Sequence, residues 1–132
     1  MSSIGQQYCF KKYDEHTSMN QKEIAKLLNA RIIAGEAGED MDYEFAFASD
    51  LMSDVLTIDT DSLILITGLA NLQAIRTAEM SDISCIIVVR GKKATEDMVQ
   101  LAIENKMTLI ECDFTMFKTS GILFNAGLKA LY

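Results

Sequence analysis

The stretch ASDLMSDVL, Ala48 to Leu56, sets two Ser-Asp pairs four positions apart with an apolar pair after each. On a helical turn, Asp50 and Asp54 would share one face with their β-carbons about 6 Å apart. Two carboxylates that close can hold a divalent cation or push one pKa up as an acid–base pair, which is the reading of a metal-dependent hydrolase. The competing reading is a short helix capped by Ser49 or Asp50, burying Leu51, Val55 and Met52 and leaving Asp54 in solvent. No histidine and no third carboxylate adjoins the pair, so capping is expected and no catalytic or metal-ligating residue is assigned.

Two further segments carry groups that could hold a ligand. Thr67-Gly68-Leu69-Ala70-Asn71 follows an apolar run and precedes a helical one, and amides at such a helix start can bind an anion. One glycine and no lysine fall short of both a Walker A loop and a dinucleotide fingerprint. Arg90-Gly91-Lys92-Lys93 is the densest positive cluster in an acidic chain. Arg90 and Lys92 could hold a phosphate there, and Gly91 would let a ligand or another backbone come close. A solvated basic turn is the plain alternative.

Nucleophilic catalysis has no candidate. His16 is the one histidine, and no Ser or Cys stands in an elbow such as G-x-S-x-G. Cys9, Cys85 and Cys112 lie far apart without a C-x-x-C pair, which argues against a zinc site or an iron–sulfur cluster. Cys85 and Cys112 sit in apolar runs and are expected to be buried. No cofactor is implied.

The elements that must position these groups can be read from periodicity. Residues 1 to 18 show no regular pattern and are expected to be a loosely ordered extension. From Asn20, a plausible N-cap, Ile24, Leu27 and Leu28 follow helical spacing, with Gln21, Lys22 and Lys26 toward solvent. Arg31 to Ala34 reads as a strand, EAGED as a loop, and Tyr43 to Phe47 as an alternating strand. Then strand and helix alternate: 62–67, 71–80, 83–89, 95–105, 108–112 and 114–128, the last with a bend expected at Gly121. Continuously apolar strands separated by short helices predict an α/β fold, a mostly parallel sheet with helices on both faces, in one domain over 19–132. In such sheets ligands lie beyond the carboxyl ends of the strands, where the segments above fall.

Composition narrows the partners. The chain has 132 residues, 49% hydrophobic and 23% charged, with formal net charge −7 and pI near 4.6. That balance opposes binding to a phosphate backbone, so no nucleic acid is expected. No apolar run reaches the roughly 20 residues of a membrane span, and no signal-peptide core is present, so a cytoplasmic location is expected.

Four blocks in order, FASDLMSDVL (47–56), LITGLANLQAIRTAEM (65–80), IIVVRGK (86–92) and SGILFNAGL (120–128), resemble the stand-alone DRTGG domain family from about Met19 to Leu128. The five-residue motif that names the family is missing as written, and Thr67-Gly68 is its nearest trace. The resemblance implies a compact α/β domain similar to the N-terminal domain of HPr kinase/phosphorylase, without the kinase's P-loop domain. It also implies a regulatory role: such domains occur beside CBS domains in pyrophosphatases and in phosphotransacetylases, some linked to adenine nucleotides. Stand-alone members tend to be encoded in anaerobic bacteria near hydrogenase or electron-transfer proteins, and the domain is often dimeric.

The expected function is a non-enzymatic regulatory or interaction module, a homodimer that senses a small anionic ligand such as an adenine nucleotide. Its site would comprise Ser49, Asp50, Thr67, Gly68, Asn71, Arg90, Gly91 and Lys92. The alternative is a pure protein–protein module serving a redox or hydrogenase complex. An apolar C-terminus, GILFNAGLKALY, supports association of copies in either case.

Overall fold

A computed structural model describes residues 18–35 and 41–132. The extension expected over residues 1–18 falls, apart from Ser18, outside the described residues, as do Cys9, His16 and the EAGED loop. The chain is anchored from Met19, which is buried and exchanges backbone hydrogen bonds with Tyr43.

Five strands and five helices follow: α1 (Gln21–Leu28), β1 (Arg31–Ala34), β2 (Phe45–Ala48), α2 (Met52–Val55), β3 (Leu63–Thr67), α3 (Leu72–Met80), β4 (Cys85–Val88), α4 (Glu96–Glu104), β5 (Thr108–Glu111) and α5 (Met116–Asn125). They form one sheet in the order β1-β5-β4-β3-β2, with β2 to β5 parallel and β1 antiparallel to β5 at the edge. The expected mostly parallel α/β architecture is therefore observed, and the one antiparallel strand is what the sequence pattern did not specify.

Strand pleating divides the core in two. Leu63, Leu65, Ile86, Val88 and Leu109 point to one face, where Met52 and Val55 of α2, Ala74, Ile75 and Ala78 of α3, and Met98 and Ala102 of α4 cover them. Ile64, Ile66, Cys85, Ile87 and Ile110 point to the other, under Ile24 and Leu28 of α1 and Leu123 of α5. The three crossovers from β2 to β5 all step the same way along the sheet, so a constant hand keeps α2, α3 and α4 on one side. After β5 the chain leaves for the opposite face, and α5 fills it. Strands buried on both faces have no polar alternation to show, hence their continuous apolar runs.

Side-chain caps fix four of the helix starts. Asn20, Asn71, Thr95 and Thr115 each accept an N–H from the first turn of α1, α3, α4 and α5, and Glu23 completes a capping box with Asn20. Three local expectations are corrected. Gln21 is buried, its amide nitrogen 3.5 Å from the Gly35 carbonyl, because it faces β1; Leu27 is exposed instead. Gly121 does not bend α5, which runs unbroken through it. Leu51 is 57% exposed, because α2 begins only after it.

Cys85 and Cys112 are buried free thiols, and burial pushes the Cys85 thiol up to about 12. Replacing Ile86, fully buried in the central strand β4, by alanine is expected to cost about 2–5 kcal/mol. Leu51→Ala should stay within about 0.5 kcal/mol of the parent. Urea titrations of the two variants check this, and equal destabilisation would contradict the core assignment.

Candidate functional site

At the end of β2 the Ser49 hydroxyl oxygen accepts the Leu51 N–H at 3.0 Å. It does not cap α2, whose N-cap is Leu51 without any side-chain bond. Asp50 does not cap α2 either. It precedes the helix, so its spacing from Asp54 does not put the two carboxylates on one helical face. Instead Asp50 reaches across to the next strand, where Oδ1 accepts the Gly68 N–H at 2.6 Å and the Thr67 hydroxyl at 3.1 Å. The Thr67 oxygen in turn accepts the Leu69 N–H at 3.1 Å. One carboxylate thereby ties the β2–α2 turn to the β3–α3 turn.

Arg90 joins the same place from β4. A β-carbon on Gly68 would stand 3.2 Å from Arg90 Nη2 and 3.3 Å from both Asp50 carboxylate oxygens. The absence of a side chain at Gly68 is thus what lets guanidinium and carboxylate converge on one backbone. Arg90 (φ 64) and Gly91 (φ 68) are both left-handed, and the Lys92 N–H donates to the Val89 carbonyl at 3.4 Å. Positive φ at both central residues is the pattern of a type I′ turn, which favours Asn-Gly and costs an arginine about 1–2 kcal/mol. The strain is held by bonds from Arg90 N–H to the Phe114 carbonyl, 2.7 Å, and from Gly91 N–H to the Cys112 carbonyl, 3.0 Å.

The rim continues toward β1. Because β1 is antiparallel, its first residue Arg31 lies beside Glu111 at the carboxyl end of β5. Arg31 meets Asp113 at 3.1 Å and Glu111 at 3.6 Å; Lys93 approaches the same Glu111 oxygen at 3.7 Å. Glu111 is buried, and its other oxygen accepts the Ala94 N–H at 2.7 Å. The Arg31 guanidinium holds the Asp113 carboxyl below its ordinary value, mainly through their hydrogen bond. Arg90, by contrast, has no ion-pair partner among the described residues.

Of the residues expected at the site, the structure brings Asp50, Thr67, Gly68 and Arg90 together, with Gly91 shaping the turn. Ser49 is spent on its local turn, Asn71 on capping α3, and Lys92 is exposed beside the cluster. Arg31, Glu111 and Asp113 were missed. The one charged residue inside the apolar run TLIEC was the available sign, since a buried glutamate demands cations. Among the described residues no group of three or more His, Cys, Asp or Glu could hold a metal ion. No helix of these residues is long and apolar enough to cross a membrane.

Fold and rim together define an α/β domain whose charged turns gather at the carboxyl ends of parallel strands. No family model matches the chain, and no curated protein matches it. Among solved structures it is similar to the CBS and DRTGG domains of the regulatory region of Clostridium perfringens pyrophosphatase, complexed with the activator diadenosine tetraphosphate. The TM-score is 0.69 at 17% identity, over 93% of this chain and 57% of that one. The likeness is one of fold, shared with a regulatory region, and the chain spans little more than half of its neighbour's length.

Asp50→Ala leaves the Gly68 N–H and the Thr67 hydroxyl without their acceptor and is expected to cost about 1–3 kcal/mol; Asp50→Asn keeps an acceptor and should cost less. Equal urea midpoints for the parent and Asp50→Ala would contradict the tie. Asp113, with its pKa depressed in the folded state, contributes stability that is present above the ordinary value of 3.8 and lost as pH falls through its folded value. Asp113→Asn should therefore show a smaller stability loss than the parent between neutral pH and about pH 3, read by thermal melts at low salt.

Proposed function

We propose that this chain is a non-enzymatic regulatory module that binds a small anionic ligand of the adenine-nucleotide kind at the rim of Asp50, Thr67, Gly68, Arg90, Gly91 and Lys92, with Ser49 and Asn71 shaping the flanking turns. It is read as a DRTGG-type domain similar to the N-terminal domain of HPr kinase/phosphorylase, cytoplasmic and homodimeric, occupying residues 19–132. The observation that carries this reading is the Arg90 guanidinium, held over Gly68 by a strained turn, near the Asp50 carboxylate but in no ion pair among the described residues. Strain of this kind persists where surrounding bonds over-determine it, and it clusters at ligand-binding turns.

Topology supports the location. The crossover after β4 goes to one face and the chain after β5 to the other, so the Arg90 turn sits where neighbouring connections part, the usual place for ligands in open α/β sheets. Charge supports a nucleotide over a bare anion. Asp50 Oδ1 is occupied by Gly68 and Thr67, while Oδ2 has no hydrogen-bond donor among the described residues and can accept a sugar hydroxyl. Arg90 and Lys92 would take phosphate oxygens, and Asp50 would repel a phosphate lacking that hydroxyl. The neighbour's activator, a dinucleoside polyphosphate, belongs to the same chemical class.

Thermal shift against ATP, ADP, AMP, diadenosine tetraphosphate and inorganic pyrophosphate tests the reading. At least one nucleotide should raise the melting point, since ligand at 100 times its dissociation constant adds about 2.7 kcal/mol, and pyrophosphate should not. Arg90→Gly relieves the left-handed strain, so the variant is expected to be at least as stable as the parent yet unresponsive to the nucleotide. A melting point unmoved by every nucleotide, or a full response in Arg90→Gly, would overturn the assignment.

A further inference from the structure

The rim leaves unexplained the outer face of α5. Phe117, Ser120, Gly121 and Phe124 recur there at helical spacing; Phe117 is 89% exposed and Phe124 52%. They border a groove of about 330 Å³ whose other walls are Ala46 and Ala48 of the edge strand β2, Ile66, and the Leu128–Ala130 tail. A β-carbon at Gly121 would meet nothing within 4 Å. A mid-helix glycine costs about 0.5–1 kcal/mol relative to alanine, and no neighbour among the described residues requires it.

The spacing is palindromic. In Phe-x-x-Ser-Gly-x-x-Phe, 117 to 124, the two phenylalanines and the two small residues are placed symmetrically about the midpoint between Ser120 and Gly121. If two α5 helices cross antiparallel with a two-fold axis at that midpoint, Phe117 of each copy meets Phe124 of the other. The small pair Ser120-Gly121 meets itself, where close helix approach needs the least bulk. Self-complementarity of this kind is what an isologous interface demands.

Charge selects the same face. All 19 Asp and Glu residues lie at or before Asp113, so residues 1–113, with 10 Lys and Arg, carry −9, while 114–132 carry +2 from Lys118 and Lys129. Two copies at −7 repel, and the repulsion is reduced across a face built largely from this positively charged segment. Lys118 lies over the Phe114 ring, 4.0 Å from its centroid. At about 200 Å² for a fully exposed aromatic ring, the two phenylalanines offer roughly 280 Å² per protomer. That is about a third of the ~800 Å² that each partner buries in a standard interface, and the groove walls extend it.

We propose that α5 is the homodimer contact, two copies packing antiparallel across Ser120 and Gly121. This rests on the homodimeric reading above and is independent of the ligand. Light scattering at about 50 µM should give twice the 14.7 kDa chain mass. Phe117→Asp and Gly121→Arg should each give a monomer with an unchanged far-ultraviolet circular dichroism spectrum. In a Cys9→Ser background, Ser120→Cys should form a covalent dimer on mild oxidation, and Gln100→Cys on α4 should not. A monomeric parent overturns the homodimer itself. A dimer that survives both surface variants overturns this face while leaving the homodimer standing, and a folded Ser120→Cys dimer that does not cross-link overturns the antiparallel register.

Discussion

Four parallel strands with apolar side chains on both faces cannot be left uncovered on either side. That requirement organises this molecule. The crossovers between β2 and β5 can supply only one layer, because each is right-handed and each advances in the same direction. The second layer has to come from chain outside those crossovers, and α1 and α5 provide it. The change of side after β5 follows directly, and the connections that leave the adjoining turns at Arg90 and Asp113 part to opposite faces. The rim is thus a by-product of covering the core, and its position follows from topology before any side chain is considered.

What the side chains add is a set of ties between turns that the sheet merely brings near. Asp50 bonds the turn after β3, Arg90 N–H bonds the turn after β5, and Arg31 bridges from β1 to Asp113. Each tie joins residues far apart in sequence, so the rim is rigid only in the folded domain. Electrostatically the rim falls into two parts. Around Glu111, cations and carboxylates are paired, and a buried acid is stabilised by Arg31, Lys93 and a backbone amide. Around Gly68, the carboxylate takes its hydrogen bonds from backbone and hydroxyl donors, and Arg90 stands near it without an ion pair among the described residues.

Much of the fold was legible because it rests on local signals. Apolar runs bounded by Gly and polar residues marked β3 and β4, and Asn20 marked the start of α1 through a hydrogen bond made within one turn. Of the candidate site, the meeting of Asp50, Thr67, Gly68 and Arg90 was legible, because parallel strands oblige their turns to share one end of the sheet. Their actual partners were not. ASDLMSDVL looks like a helix with two acids on one face, yet the pair is broken because Asp50 is drawn to a backbone amide 18 positions away, a contact no local period encodes. Likewise Arg31 reads as an ordinary strand residue until the antiparallel pairing of β1 turns its first residue toward Glu111. Gly121 suggested a bend on local grounds, but hydrogen bonding on both sides of it keeps α5 continuous.

The two surfaces that the core leaves available are close in the chain. Ala48 and Ile66 line the α5 groove, and the residues after them, Ser49-Asp50 and Thr67-Gly68, begin the rim. Both strands are short, and their pairing from Phe45 against Leu63 to Ala48 against Ile66 leaves no slack between groove and turn. A displacement of β2 against β3 at the groove would alter the Asp50–Gly68 bond one or two residues later, and a ligand that tightened that bond would hold the strand ends in register. Coupling of this sort needs an element with two arrangements that both surfaces bias. The edge strand β2, paired on one side by β3 and bridged on the other by the tail at Lys129, is the element of the sheet that both surfaces touch.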